Sequence, residues 1–156
     1  MHILKREECS PFMESFRELF FNDEIDGNLD KVYLSVFDKW LNREEFESKI
    51  KNASLNMTEE YNSRRREVFN SVFRKCYFLN QDDKQYYAFS DEDEFTNLLN
   101  ENFNDSEDFL IVSGDSCFAI QTGYDYTDYF YFIGDFSKES VKSVCLKEGV
   151  YILDAE

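Results

Sequence analysis

The spacing of apolar residues changes near Tyr77, and this change limits the folds open to the chain. Before Tyr77, apolar residues recur at the three- and four-residue steps of amphipathic helices, within 10–22, 30–41, 42–50 and 58–76. After it, β-rich runs predominate, at 76–79, 85–89, 109–113, 116–122, 128–133 and 150–153, with two short helical segments at 90–99 and 137–146. Helices followed by strands predict an α+β fold, in which a helical N-terminal half packs on a mostly antiparallel sheet from the C-terminal half.

Local signals mark where several helices begin. Ser10 and Pro11 fit the cap and first position of the first helix, and Asn42 with Glu45 resembles a capping box. Asp30 is the expected cap of a second helix, and Ser90 that of an acidic helix. The apolar face of the second helix would be Tyr33, Val36, Phe37, Trp40 and Leu41.

The longest predicted helix starts at Thr58 and runs to Cys76, with Arg65 on its apolar face. Arg64, Arg65 and Arg66 are consecutive and therefore point to different sides of that helix. We interpret them as a solvated helix surface with ion pairs to Glu60 or Glu67.

The chain of 156 residues, 42% of them hydrophobic, is long enough for one core, so 1–156 is predicted to be a single domain. Its amino terminus lacks a secretory signal and no apolar run is long enough to span a bilayer, which favours a cytoplasmic protein. Four widely spaced cysteines, at positions 9, 76, 117 and 145, are then expected to be reduced.

The net charge of −16 is concentrated in one segment. Residues 82–135 contain 14 acidic residues and one basic residue, Lys84. This segment, here called the acidic segment, is either a solubilising surface or a field that attracts a cationic partner. Its charge disfavours direct binding of nucleic acid, because phosphates would be repelled.

The sequence lacks the residues that several kinds of catalysis require. The one histidine, His2, stands beside the amino terminus, which leaves no base for Ser-His-Asp or Cys-His catalysis, and no phosphate-binding glycine motif is present. We therefore predict no enzyme activity, no cofactor and no metal site. A carboxylate-based metal enzyme is the disfavoured alternative.

The segment from Gln121 to Tyr131 combines tyrosines and carboxylates on a loop between two strands. Tyrosine gives a large contact area at low entropic cost, and aspartates beside it can receive Lys or Arg side chains. Ordinary loop chemistry is the competing interpretation. The predicted partner contacts are Tyr124, Asp125, Tyr126, Asp128 and Tyr129 of this loop, with Asp91, Glu92, Asp93, Glu94, Glu107, Asp108 and Asp115 of the acidic segment.

In its general character, the chain resembles the bacterial immunity proteins that neutralise co-encoded toxins. The resemblance lies in the small, acidic, aromatic-rich α+β chain without a catalytic constellation, and in the β-rich runs from Phe109 to Gly123 and from Asp128 to Asp135. It implies a tight one-to-one complex with a basic toxin domain, often a nuclease. The alternative, which also depends on an acidic surface, is a DNA mimic that occupies a nucleic-acid-binding protein.

Overall fold

The computed structural model describes residues 1–22, 29–71, 75–105, 109–133 and 138–154. The helices are α1 (Pro11–Phe21), α2 (Arg43–Phe46), α3 (Leu55–Ser71), α4 (Glu92–Asp105) and α5 (Lys138–Glu148), with a 3₁₀ turn at Arg6–Glu8 and a π-helical turn at Glu47–Lys51. The strands are β1 (His2–Ile3), β2 (Asp30–Ser35), β3 (Cys76–Leu79), β4 (Tyr86–Ala88), β5 (Leu110–Ser113), β6 (Phe118–Gln121), β7 (Thr127–Phe132) and β8 (Tyr151–Leu153). The predicted α+β class is confirmed.

All eight strands of the described chain belong to one antiparallel sheet, in the order β1-β4-β3-β5-β6-β7-β2-β8. Alternate residues of β7 separate to the two faces, as the sequence predicts: Phe130 and Phe132 are buried on one face, and Tyr129 and Tyr131 are half-buried on the other. The sheet is therefore the middle layer of the fold.

Helices α3, α4 and α5 cover the face that carries Phe130. Their residues Phe69, Leu99 and Cys145 share one core with the sheet. The opposite face is covered by α1, whose Met13 and Phe16 pack on the strands, and the hydroxyl of Tyr86 donates a 2.6 Å hydrogen bond to the Met13 carbonyl. Helix α1 also covers Tyr131 of β7, because the centres of the Phe16 and Tyr131 rings are 5.9 Å apart.

The helix predicted over 30–41 is wrong. Residues 30–35 form β2, which lies between β7 and β8, with Val32 paired to Phe130 and Leu34 to Asp128 and Ile152. Val32 and Leu34 face the core, while Tyr33 between them is half-buried on the other face. Antiparallel pairing on both sides satisfies the backbone of this segment and overrides its helix-like spacing.

Two other helix starts agree with their sequence signals. The Ser10 hydroxyl accepts a 3.2 Å hydrogen bond from the Met13 amide, and Asn42 and Glu45 form the expected capping box. Two starts differ. Helix α3 begins at Leu55 because the Ser54 hydroxyl, and not Thr58, caps it, and the carboxylate of Asp91, and not Ser90, caps α4.

The end predicted for α3 is also wrong. The helix is described to Ser71, and Cys76 belongs to strand β3. The predicted hairpin of β3 and β4, the strands β5 to β8 and the last helix α5 are confirmed. No helix of the described residues is long and apolar enough to cross a membrane.

The four cysteines are free thiols in unequal environments. Cys117 is exposed and Cys9 is half-buried, whereas burial raises the pKa of Cys76 and of Cys145 to about 12. Because only a thiolate reacts readily, we expect a thiol reagent at mildly alkaline pH to modify Cys117 first and to spare Cys76 and Cys145 in the folded protein.

The measurement is a colorimetric thiol assay without reductant, in native buffer and in denaturant. Denaturation should expose all four thiols. A denatured count near zero would contradict the reduced state, and rapid native modification of Cys145 would contradict its burial.

Candidate functional site

The loop between β6 and β7 contains an unusual turn. The Thr127 amide donates a 3.0 Å hydrogen bond to the Tyr124 carbonyl, and the two residues between them, Asp125 and Tyr126, have φ angles of 56° and 57°. Positive φ at both central positions is the geometry of a type I′ turn, for which Asn-Gly is the preferred sequence. A left-handed tyrosine costs conformational energy, so neighbouring contacts must hold the turn in place.

A buried ion pair supplies that support. The Nε of Arg65 lies 3.0 Å from Oδ2 of Asp128, and its second guanidinium nitrogen bonds Oδ1 of the same carboxylate. The carboxylate also accepts the Gly123 amide at 3.2 Å. Arg65 and Asp128 are only 2% and 3% exposed, so helix α3 fixes the start of the loop from inside the protein.

The guanidinium of Arg65 makes two further side-chain contacts. One terminal nitrogen donates to the Asn62 side chain at 3.0 Å, and the guanidinium carbon lies 4.2 Å from the centre of the Phe103 ring. This placement corrects the interpretation of Arg65 as part of a solvated surface. Arg64 and Arg66 do lie on that surface, paired to Glu60 and Glu59.

Tyr126 also turns inward. Its ring lies 4.9 Å from that of Tyr61, and its hydroxyl is 3.4 Å from the hydroxyl of Thr58. The structure therefore places Tyr126 and Asp128, two of the predicted partner contacts, in the support of the loop. Gly123 belongs to the same support, because a side chain there would collide with the Thr127 carbonyl oxygen.

Tyr124 and Asp125 remain at the surface, beside a cleft of about 270 Å³. We call this space the aromatic cleft. It is lined by Tyr33, Ser35, Phe37, Lys39, Trp40, Leu41, Phe46, Ile50, Tyr124, Asp125, Thr127 and Tyr129. It lies on the sheet face that α1 covers, toward the other end of β7, where β7 and β2 run side by side.

Three rings form a continuous aromatic wall. The Trp40 ring lies 4.9 Å from that of Tyr33, which lies 5.6 Å from that of Tyr129, and both pairs meet edge to face. The indole nitrogen of Trp40 donates a 2.9 Å hydrogen bond to the Asp154 carbonyl, which fixes the ring. Sequence reasoning found Tyr129 but assigned Tyr33 and Trp40 to a helix core, because it took β2 for a helix.

One carboxylate at the cleft has no partner in the part of the chain that the structure describes. Lys39 is paired to Glu45 at 3.1 Å, but no hydrogen bond or ion pair within the described residues involves the Asp125 carboxylate. Although this side chain reaches solvent, desolvation by its surroundings raises its pKa. An unpaired, partly desolvated carboxylate beside ring faces favours a cationic ligand.

The predicted acidic contacts do not gather around the cleft. Asp91, the cap of α4, is exposed next to β4, as are Glu92 and Asp93 in the first turn of the helix. Four strand spacings, about 20 Å, separate β4 from β7 in the sheet. None of the ion pairs among the described residues includes these three side chains, so their charge faces solvent.

The other predicted acidic contacts have different surroundings. The amino-terminal amine lies 2.9 Å from Glu94 and lowers the pKa of that carboxyl by hydrogen bonding. Asp115 is 3.3 Å from Lys75, in the β5–β6 turn, at the opposite end of β6 from Tyr124. Glu107 and Asp108 lie outside the described residues.

No family model, curated protein or solved structure matches this chain. Within the described parts of the chain, no group of three or more His, Cys, Asp or Glu side chains is arranged to hold a metal ion. Among the described residues, the aromatic cleft and the exposed acids of α4 both offer carboxylates to a cation.

Proposed function

We propose that this protein is an acidic inhibitor of the immunity-protein kind, which binds a basic toxin domain and neutralises it. The observation that carries the proposal is the Asp125 carboxylate at an aromatic cleft, without a partner among the described residues, in a chain of net charge −16. Aromatic side chains in a concave site are the usual anchors of protein interfaces. The proposed partner is a protein and not a nucleic acid, because the acidic segment repels phosphates.

The exposed acids of α4 and the aromatic cleft have different roles in this proposal. The exposed acids of α4 speed the encounter with a basic partner, while the cleft holds one of its side chains after docking. The four free thiols agree with the cytoplasmic location that the proposal includes, since that compartment keeps thiols reduced.

The roles can be separated by charge reversal on α4. Replacing Asp91, Glu92 and Asp93 together by lysine should lower the association rate constant for a basic toxin domain by about tenfold at low salt, with a small change in dissociation. Asp91 also caps α4, so a variant changed only at Glu92 and Asp93 controls for helix destabilisation. The measurement is surface-binding kinetics at two salt concentrations, and unchanged association would contradict a steering role.

The function itself is tested by co-expression with the reading frames that flank the gene. The expected result is that one flanking product arrests growth alone, that this chain restores growth, and that the two proteins purify as an equimolar complex. If the chain instead forms a complex with a DNA-binding protein and displaces its DNA, it is a DNA mimic. The absence of growth rescue with every flanking product would overturn the proposal.

A further inference from the structure

The aromatic cleft is small for a ligand site. Its volume of about 270 Å³ lies below the range of pockets that enclose drug-sized molecules, roughly 300–1,000 Å³. It can take one side chain, but not a folded element of a partner. Six of its twelve lining residues are aromatic, and the carboxylate of Asp125 is its one charge that has no partner among the described residues.

The same rings already accept a cation from the chain itself. The Nζ of Lys31 lies 5.0 Å from the centre of the Tyr33 ring and 5.3 Å from that of Tyr129. Lys31 is not among the residues that line the cleft, so it does not occupy that space. The contact shows that these rings are placed where the attraction between a cation and an aromatic face operates.

The turn that contains Asp125 has a strained backbone. Asp125 and Tyr126 both have left-handed backbones, and a buried ion pair from α3 supports the adjoining residues Gly123 and Asp128. A strained turn that the surrounding structure maintains often belongs to a binding site. Here the turn places the carboxylate of Asp125 and the exposed ring of Tyr124 together at the cleft.

Resting on the proposed function, we propose that the aromatic cleft is the socket for one arginine side chain of the basic partner. A guanidinium is planar and weakly hydrated, so it stacks on aromatic rings while its paired N–H groups bind a carboxylate. A lysine ammonium is a compact, strongly hydrated charge and lacks the planar fork. Lys39 does not compensate the charge of Asp125, because Glu45 already pairs with it.

The single tryptophan of the chain, Trp40, lines the cleft and reports on its occupancy. The test is a fluorescence titration with N-acetyl-arginine amide, compared with the citrulline and lysine analogues. We expect saturable binding of the arginine compound in the millimolar range, weaker binding of the lysine compound and none of the uncharged citrulline compound. At saturation the arginine compound should also raise the melting temperature.

The decisive variant is Asp125→Asn, because asparagine tolerates a left-handed backbone and the turn is expected to persist. It should weaken binding of the arginine compound about tenfold, since a charge-assisted hydrogen bond is lost. Asp82→Asn removes the same charge from an exposed position in the β3–β4 turn and should bind as the native protein does. Equal binding of arginine and citrulline compounds, equal effects of the two variants, or no change in either fluorescence or melting would overturn the socket.

The socket and the proposed function fail in different ways. Binding of the arginine compound by a protein that neutralises no flanking toxin would leave the socket and overturn the function. Equal neutralisation of a toxin by Asp125→Asn and native protein would leave the function and overturn the socket.

Discussion

Replacing Arg65 by methionine should lower the free energy of unfolding by about 3–5 kcal/mol. The substitution keeps an unbranched side chain but leaves the Asp128 carboxylate, 3% exposed, without its cationic partner. It also removes the hydrogen bond to Asn62 and the contact with the Phe103 ring. The measurement is urea unfolding followed by circular dichroism.

Two further variants make this prediction specific. Arg64→Met removes the adjacent arginine, whose ion pair with Glu60 lies at the surface, and should cost about 0.5 kcal/mol or less. Arg65→Met combined with Asp128→Leu should be less unstable than the sum of the single changes, because no lone charge stays buried. Equal losses for Arg65→Met and Arg64→Met would contradict the buried ion pair.

Replacing Phe109 by alanine should cost about 3–5 kcal/mol, as expected for a large side chain removed from a core. Phe109 is fully buried, and its ring contacts those of Phe69, Phe78, Phe89 and Phe95. It therefore joins α3 and α4 to the sheet. The measurement is again urea unfolding, with Phe109→Leu as a milder variant if the alanine variant does not fold.

Leu146→Ala is the matched control for this prediction. Leu146 is 77% exposed on α5, and its loss should change stability by about 0.5 kcal/mol or less. A Phe109→Ala variant as stable as Leu146→Ala would show that the aromatic core is wrongly placed.

Much of the fold could be predicted because local signals and packing agree. Ser10 and Pro11 start α1 as expected, and the alternation of Phe130 and Phe132 with Tyr129 and Tyr131 fixes the two faces of β7. The prediction of a helix over residues 30–41 was wrong because Tyr33, Val36 and Phe37 are spaced as on a helix. The pairing of β2 with β7 and β8 is not visible in the local sequence. Strand pairing between residues about 100 positions apart leaves no local sequence signal.

Only part of the candidate site could be predicted, because some of its contacts join residues that are far apart in the sequence. The loop residues Tyr124 and Asp125 stand out because a turn does not require a tyrosine, and both lie at the cleft. Asp128 was misjudged because its partner, Arg65, is 63 residues away. Tyr33 and Trp40 could not be placed beside Tyr129 until β2 was recognised as a strand.

The proposed function is the neutralisation of a basic toxin domain by direct binding. The most direct measurement is the residual activity of the purified flanking toxin as this protein is added at fixed toxin concentration. We expect a linear fall in activity that ends at an equimolar ratio, with a shallower curve for Asp125→Asn. Full toxin activity in the presence of a molar excess of this protein would contradict the proposed function.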